Sequence, residues 1–350
     1  MTSRRAFLAG LAASTLPRPL WAEVGSPAYL AAAKTPDGSF ALHGLSATAT
    51  SLFVIPLPAR GHAGCAHPTA AICVAFARRP GTYALVLDAF SGDVLHRLTP
   101  PANRHFNGHG TYSADGSTLF TVEQAADDSA GFLGQWDTQT CQRIGEIPTH
   151  GIGPHDMRRM PDGSLIIANG GIATDPTDRT KLNLPTMRAN LTRLDAAGNL
   201  LDRVELPPDL HQNSIRHLAL IPGGIAFALQ WEGDHALPVP LLGLWRDGAV
   251  TLHMPPEAEA LRMQGYAGSI AATADQIAVT SSHGGVVQLF DHTGAFITTL
   301  TRSDASGIAA MGEDFLMTDG TGALTQVTAD GITALGTLPL SWDNHLISLL

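Results

Sequence analysis

Apolar positions along this chain come in short runs of Val, Ile, Leu, Ala and Phe, and each run stops at a polar turn built on Asp-Gly, Gly-Gly or Asn-Gly. Runs of this length bounded by such turns are the signature of serial β-hairpins, because the turn glycines supply the positive φ that tight hairpins need. A 3.6-residue apolar period is nearly absent; the one short helix candidate is "PEAEALRM", 256–263. The pattern therefore predicts an all-β protein.

The hairpins repeat. Aligning them places unit starts near His62, His109, His155, His217, Ser269, Ser306 and His345. Units of roughly 45 residues, each with room for four short strands, predict a seven-bladed β-propeller. The longest step holds "IATDPTDRTKLNLPTMRAN", 172–190, read as an extra loop within one blade. The last unit, "HLISLL", is cut short after one strand, so "YLAAAKT", "FALHGLS" and "LFVIPLP" from the other end must complete it. The predicted ring is closed by pairing of N- and C-terminal strands, which removes open sheet edges. One domain over 23–350 follows, since each blade buries its faces against its neighbours rather than around a single centre.

A second regularity sits inside the repeat. His109 and Glu123 are separated by the same interval as His155 and Asn169, and as His217 and Trp231, with Gly116, Asp162 and Gly224 at the midpoints. Residues equidistant from a hairpin turn face each other, so each His should lie opposite, or one place from, the end of the next strand. The first strand of a propeller blade lines the central channel, which gathers His62, His109, His155, His217 and His345 at one mouth, with Glu123, Asn169, Trp231 or Glu232, His283 and Asp319 beside them. His283 follows Ser269 at that same interval, so its blade would carry the His one strand out. Flanking polar residues are Arg78, Arg104, Asn107, Asp156, Arg216 and Asn344. A single His at such a position often only bridges neighbouring blades; several aimed at one mouth suit a metal, because neutral imidazole is the commonest metal ligand. The expected metal set is His62, His109, Glu123, His155, His217, His283 and His345, holding Fe or Cu. Arg78, Arg104, Asn169 and Arg216 are the expected contacts for a bound cofactor or anion. A weaker candidate is "GHAGCAHP", 61–68, where His62, Cys65 and His67 share one short stretch.

Residues 1–22, "MTSRRAFLAGLAASTLPRPLWA", carry Arg4 and Arg5 before a short apolar stretch and end on Ala22. They read as a twin-arginine export signal cleaved after Ala22, which makes the expected location periplasmic. That apolar stretch is too short to span a bilayer, and no other is long enough, so no membrane span is expected after cleavage. Formal net charge is -10. Removing the signal leaves the mature chain more acidic still, a poor nucleic-acid binder and a plausible host for cations. Three cysteines, Cys65, Cys73 and Cys141, allow one disulfide at most, and no C-x-x-C-H haem-attachment motif is present. Gly-x-Gly-x-x-Gly, Gly-Lys-Ser/Thr and Gly-x-Ser-x-Gly are also absent.

Taken together, "SRRAFLAG", "FARRPG", "FNGHGTYSADGSTLFTVE", "GPHDMRRMPDGSLIIANGGI", "KLNLPTM" and "SWDNHLISL" resemble a family of bacterial twin-arginine-exported proteins of unknown function. The resemblance spans nearly the whole chain. It implies a seven-bladed propeller of the amine-dehydrogenase or quinoprotein type, often encoded beside imelysin-type periplasmic iron proteins and di-haem oxidoreductases. By association it implies periplasmic iron or copper handling, with metal-uptake proteins as partners. The family supplies no catalytic residues to carry across. Three functions stay open at this point: a metal-binding accessory protein, an enzyme acting on a small molecule at the same mouth, and an interaction scaffold docking through the 172–190 loop with Asp175, Asp178, Arg179, Lys181 and Arg188.

Overall fold

The computed structural model describes residues 27–349; the segment 1–22, expected from the sequence to be an export signal, lies outside them. Seven four-stranded antiparallel sheets form the blades of a propeller. Their innermost strands are Gly61–Ala66, Arg104–Tyr112, Pro154–Arg159, Asn213–Ile221, Ser269–Ala272, Ala305–Met311 and Ser341–Ser348. Each touches the next in a closed ring, and the last returns to the first. The chain ends share one blade: Ser341–Ser348 is innermost, and Tyr29–Lys34, Phe40–Leu45 and Ser51–Leu57 pair outward from it.

Why short unbroken apolar runs build this fold is visible in the strand Ile72–Ala77, "ICVAFA". Cys73, Ala75 and Ala77 pack in a cluster shared with the closing blade, including Leu30, Leu42 and Ile55. Val74 and Phe76 point the other way, into a cluster with Phe106, Tyr112 and Trp136 of the next blade. Alternate side chains therefore serve opposite neighbours, and a strand buried on both faces needs no polar alternation. Outermost strands do alternate or turn polar, as in Ser51–Leu57 and Arg143–Ile152.

The predicted helix is present as Glu257–Arg262. The 172–190 insertion joins the second and third strands of its blade and carries a Thr174–Lys181 bridge and the 3-10 turn Leu184–Thr186. Cys65, Cys73 and Cys141 are all free thiols. Burial pushes the Cys73 thiol up to about 12, which makes it unreactive at neutral pH. Cys65 lies within a strand opposite Val74, and His67 reaches the carbonyl of Gly116. "GHAGCAHP" is thus a strand that sends His62 and His67 to different surroundings and gathers no three-ligand site.

Candidate metal centre

Where the sequence places its recurrent histidines, the ladder of the innermost strand slips. Gly61 pairs with Ala77 but Gly64 with Ala75; Phe106 with Glu123 but Gly110 with Thr121; Ile215 with Leu229 but Leu218 with Phe227. The same irregularity falls between Pro154 and Asp156, and it skips Asp343, Asn344 and His345 where the C-terminal strand meets Tyr29–Lys34. Every one of the five histidines lies inside such a bulge. A bulge bends its strand and re-aims the extra residue, so the imidazole leaves the pleat and enters the channel. The register expected from the midpoints is therefore corrected at two hairpins: Phe106, not His109, faces Glu123, and Asn213, not His217, faces Trp231.

His62, His109, His155, His217 and His345 are each no more than 8% exposed. Ring centroids trace an arc, with His62–His345 at 4.3 Å, His345–His217 at 4.5 Å and His217–His155 at 4.6 Å. His109 sits against the whole arc, 5.0 Å from His62, 5.0 Å from His345, 5.3 Å from His155 and 5.6 Å from His217. Two ligand triads result, His62–His109–His345 and His109–His155–His217, and within each the ligand atoms lie within 4.8 Å of one another. Small rotamer changes would bring three imidazoles to the distance of about 2.1 Å that a first-row metal requires.

The nitrogens are left available. His109 Nδ1 is 3.0 Å from Asp156 Oδ1, which fixes the tautomer and leaves Nε2 buried without a partner. Both ring nitrogens of His155 and Nδ1 of His217 are also buried and unpartnered. Among the described residues His345 Nε2 and His62 Nε2 meet at 3.2 Å, and His62 Nδ1 stands 3.8 Å from Asp343 Oδ1, ion-pair range but too far for a hydrogen bond. Buried polar atoms ordinarily find partners, so this concentration of orphaned imidazole nitrogens leaves donors that could hold a metal ion. The carboxylate–histidine pairing of Asp156 with His109 is the arrangement that orients a metal-ligating imidazole and raises its basicity.

Electrostatics agree with neutral rings. Burial lowers His62 to about 4 despite Asp343 beside it, and burial with repulsion from the neighbouring imidazoles holds His155, His217 and His345 well below the usual histidine range. Burial alone would raise Asp156, but Arg158 and His109 hold it far below the carboxylate range. Its Oδ2 accepts from the Leu218 amide at 2.9 Å, and Oδ1 accepts from Arg158 at 3.1 Å. Asp343 is held down likewise, by His62 and by Arg60, which pairs with it.

Not every expected residue joins the cluster. Glu123 points into its own blade, where Arg143 binds Oε2 at 2.7 Å and Thr121 donates to Oε1 at 2.8 Å. Asn169 is consumed by Thr149, Asn190 and Thr192. His283 stacks on Tyr266, 3.9 Å between centroids, away from the other rings. Arg104 pairs with Glu146 and lies over the Phe132 ring. Asp319 is bound by Arg302. All but Arg104 sit on the second strand of a blade or beyond, and without the bulge their side chains stay within the blade layer. Arg78 and Arg216 do reach the mouth: they line a cavity of about 170 Å³ together with His62, His155 and His217. Sequence reasoning missed Asp343 as a neighbour of the cluster and Arg79 as part of the cavity wall; "RRP" directly after a strand was the available signal for the second. Arg179 and Lys181 of the insertion also face this cavity, so the loop folds over the mouth.

Gly108 adopts φ +94, and a Cβ there would meet His62 Cδ2 at 2.3 Å. Gly108→Ala is expected to cost about 1–2 kcal/mol from the left-handed backbone and to push His62 out of its triad. Urea melts and a metal titration of that variant check both effects; affinity equal to the parent's would show that His62 is not a ligand.

Similarity to known proteins is of two kinds. Among solved structures, a hydrazine synthase chain of Kuenenia stuttgartiensis superposes with a TM-score of 0.62 at 12% identity, over 91% of this chain and 97% of that one. A chain of the mitotic checkpoint complex superposes with a TM-score of 0.54 at 12% identity, over 77% and 74%. At that identity the likeness is one of fold. Among curated proteins nothing matches. Over residues 55–349, which hold six complete blades and all five clustered histidines, the chain matches one family throughout, and it belongs to the family described as protein of unknown function, DUF1513.

Proposed function

We propose that this protein is a periplasmic metal-binding accessory protein, exported by the twin-arginine route and serving a metal-uptake system. The observation that carries the reading is the five-histidine cluster, with orphaned nitrogens and Asp156 orienting His109. Its donor set is all imidazole; no carboxylate stands in either triad. Such a set suits a divalent first-row ion, with copper favoured over iron by the Irving–Williams order. Bound there, the ion would be ligated by neutral rings, shielded from bulk water and oriented through His109.

Elemental analysis of the exported, tag-free protein purified without chelator tests it. Near-stoichiometric Cu or Fe is expected, and none in a His109→Ala/His155→Ala double variant that still melts cooperatively. Stoichiometric metal in that variant, or a parent that stays metal-free after reloading and dialysis, would sink the proposal.

A second reading, an enzyme acting on a small molecule at the same mouth, is favoured by the cavity that opens onto His62, His155 and His217. A saturable turnover lost in His155→Ala would select it. Docking through 172–190 is less favoured, because Arg179 and Lys181 are turned toward the cavity.

A further inference from the structure

The cavity over the histidines has a wall unlike the rest of the molecule. In a chain of net charge -10, it is lined by Arg78, Arg79, Arg179, Lys181 and Arg216, against the single carboxylate Glu232. Lys181 and Glu232 pair at 2.5 Å. Arg216 stands 3.9 Å from that carboxylate, and its Nε and Nη1 are buried without a hydrogen-bond partner although its side chain is 3% exposed. No carboxylate lies within ion-pair range of Arg78, Arg79 or Arg179 among the described residues. Burial, then repulsion from Arg216, Arg179 and Arg78, pushes Arg79 well below the ordinary arginine range. Arg216 is buried, Arg78 and Arg79 are half-buried and Arg179 is exposed, so the buried Arg216 guanidinium above all lacks the compensating charge it needs.

These four arginines come from different parts of the fold. Arg78 and Arg79 directly follow the strand Ile72–Ala77, Arg179 sits in the insertion, and Arg216 shares the bulge that re-aims His217. Arg216 is thus built into the same device as the histidines, one residue along. Planar guanidinium forks match the paired oxygens of carboxylate and phosphate. The volume of about 170 Å³ is too small for a nucleotide or peptide and sufficient for a compact metabolite.

We infer that this cavity is a binding site for a small multivalent oxyanion, a carboxylate or phosphate dianion or trianion, seated between Arg216, Arg79 and Arg179 on the solvent side of the histidines. The site goes beyond metal binding and stands whether or not the histidines hold an ion. Its position gives it a second use when they do: the anion would be the nearest non-protein ligand for a metal at His62, His155 or His217, so ion and anion would bind cooperatively.

The test uses the exported protein stripped of metal, titrated calorimetrically with inorganic phosphate and separately with citrate. One site per chain is expected for at least one of the two, weakening as salt is raised, and weakening about tenfold or more in Arg216→Gln and in Arg79→Gln. Tighter citrate assigns the carboxylate class, and tighter phosphate the phosphate class. Arg193→Gln, which removes one positive charge far from the cavity at the Asp162 pair, should leave the affinity unchanged. If Arg216→Gln fails to fold, Arg179→Gln in the insertion carries the same reading. Absence of binding by both probes at millimolar concentration overturns the inference, as does equal weakening in Arg193→Gln. Because the protein is metal-free throughout, a failure here is distinct from a failure of the metal reading.

Discussion

His109→Gln is expected to lower metal affinity by at least two orders of magnitude while the propeller stays folded. Two features single out this residue. It belongs to both triads, so its loss leaves two rings in each, and it is oriented by a buried carboxylate. Loss of an orienting partner alone typically costs 10–100-fold in affinity, and loss of the ligand itself costs more. Stability should change less. Asp156 keeps Arg158 and the backbone amides of Met157 and Leu218, and the glutamine amide can still donate to it. A cost of about 1–2 kcal/mol follows, whereas His109→Ala strands more of the carboxylate and should cost more. Metal titration alongside urea melts separates the two effects. Asp156→Asn gives the complementary case, with every histidine present but His109 no longer held by a charge; unchanged affinity there would remove the carboxylate from the account.

Mild acid should destabilise the metal-free protein before Asp156 and Asp343 titrate. His62, at about 4, and His155, His217 and His345, all well below the usual histidine range, stay neutral in the folded state. In the unfolded chain the same rings titrate near pH 6.5. Between about pH 6.5 and 4 the unfolded state therefore binds more protons, and stability falls as pH falls. The contribution is intact above pH 6.5. A ring protonated only in the unfolded state adds a slope of about 1.4 kcal/mol per pH unit, so several such rings together weaken the fold steeply as pH falls below about 6.5. Asp156 and Asp343 have folded values below the unfolded carboxylate range, so their contribution is lost only at still lower pH. Urea midpoints from pH 7.5 to 4.5 read the slope directly. His217→Gln should flatten it by about one ring's worth, and a stability that does not change across this window would mean the rings are not buried neutral. Saturating metal should shift the acid transition downward, since the ion binds only the folded, deprotonated cluster.

Much of this was legible in the chain before its structure. Blade number, closure at the C-terminal strand, the extra loop and the helix near 256–263 all follow from run length and turn residues, which respond to local chemistry. Convergence of the five histidines followed too, because equal spacing in a cyclic repeat must bring equivalent positions together. What the spacing could not reveal is the bulge. Pairing by midpoint assumes an unbroken ladder, and under that assumption Glu123 and Asn169 stand as near the channel as the histidines do. In the structure the slip in register carries only the inner residue out of the pleat, while Glu123 remains tied to Arg143 and Asn169 to Thr149. Asp343 was hidden for a related reason, since its nearness to His62 depends on the seam between two blades. The arginine wall was missed because Arg79 and Arg179 come from a strand end and a loop, which share no period.

His345 and Asp343 belong to the C-terminal strand, whereas His62 lies on the blade across the seam. An ion held between His62 and His345 would therefore act as a rivet, joining residues from opposite ends of the sequence at the point where the ring is sewn shut. Metal loading would then report on circular closure itself. A chain whose last strand had not yet docked would lack one triad, and a loaded protein would resist peeling from its C-terminal end more strongly than an unloaded one.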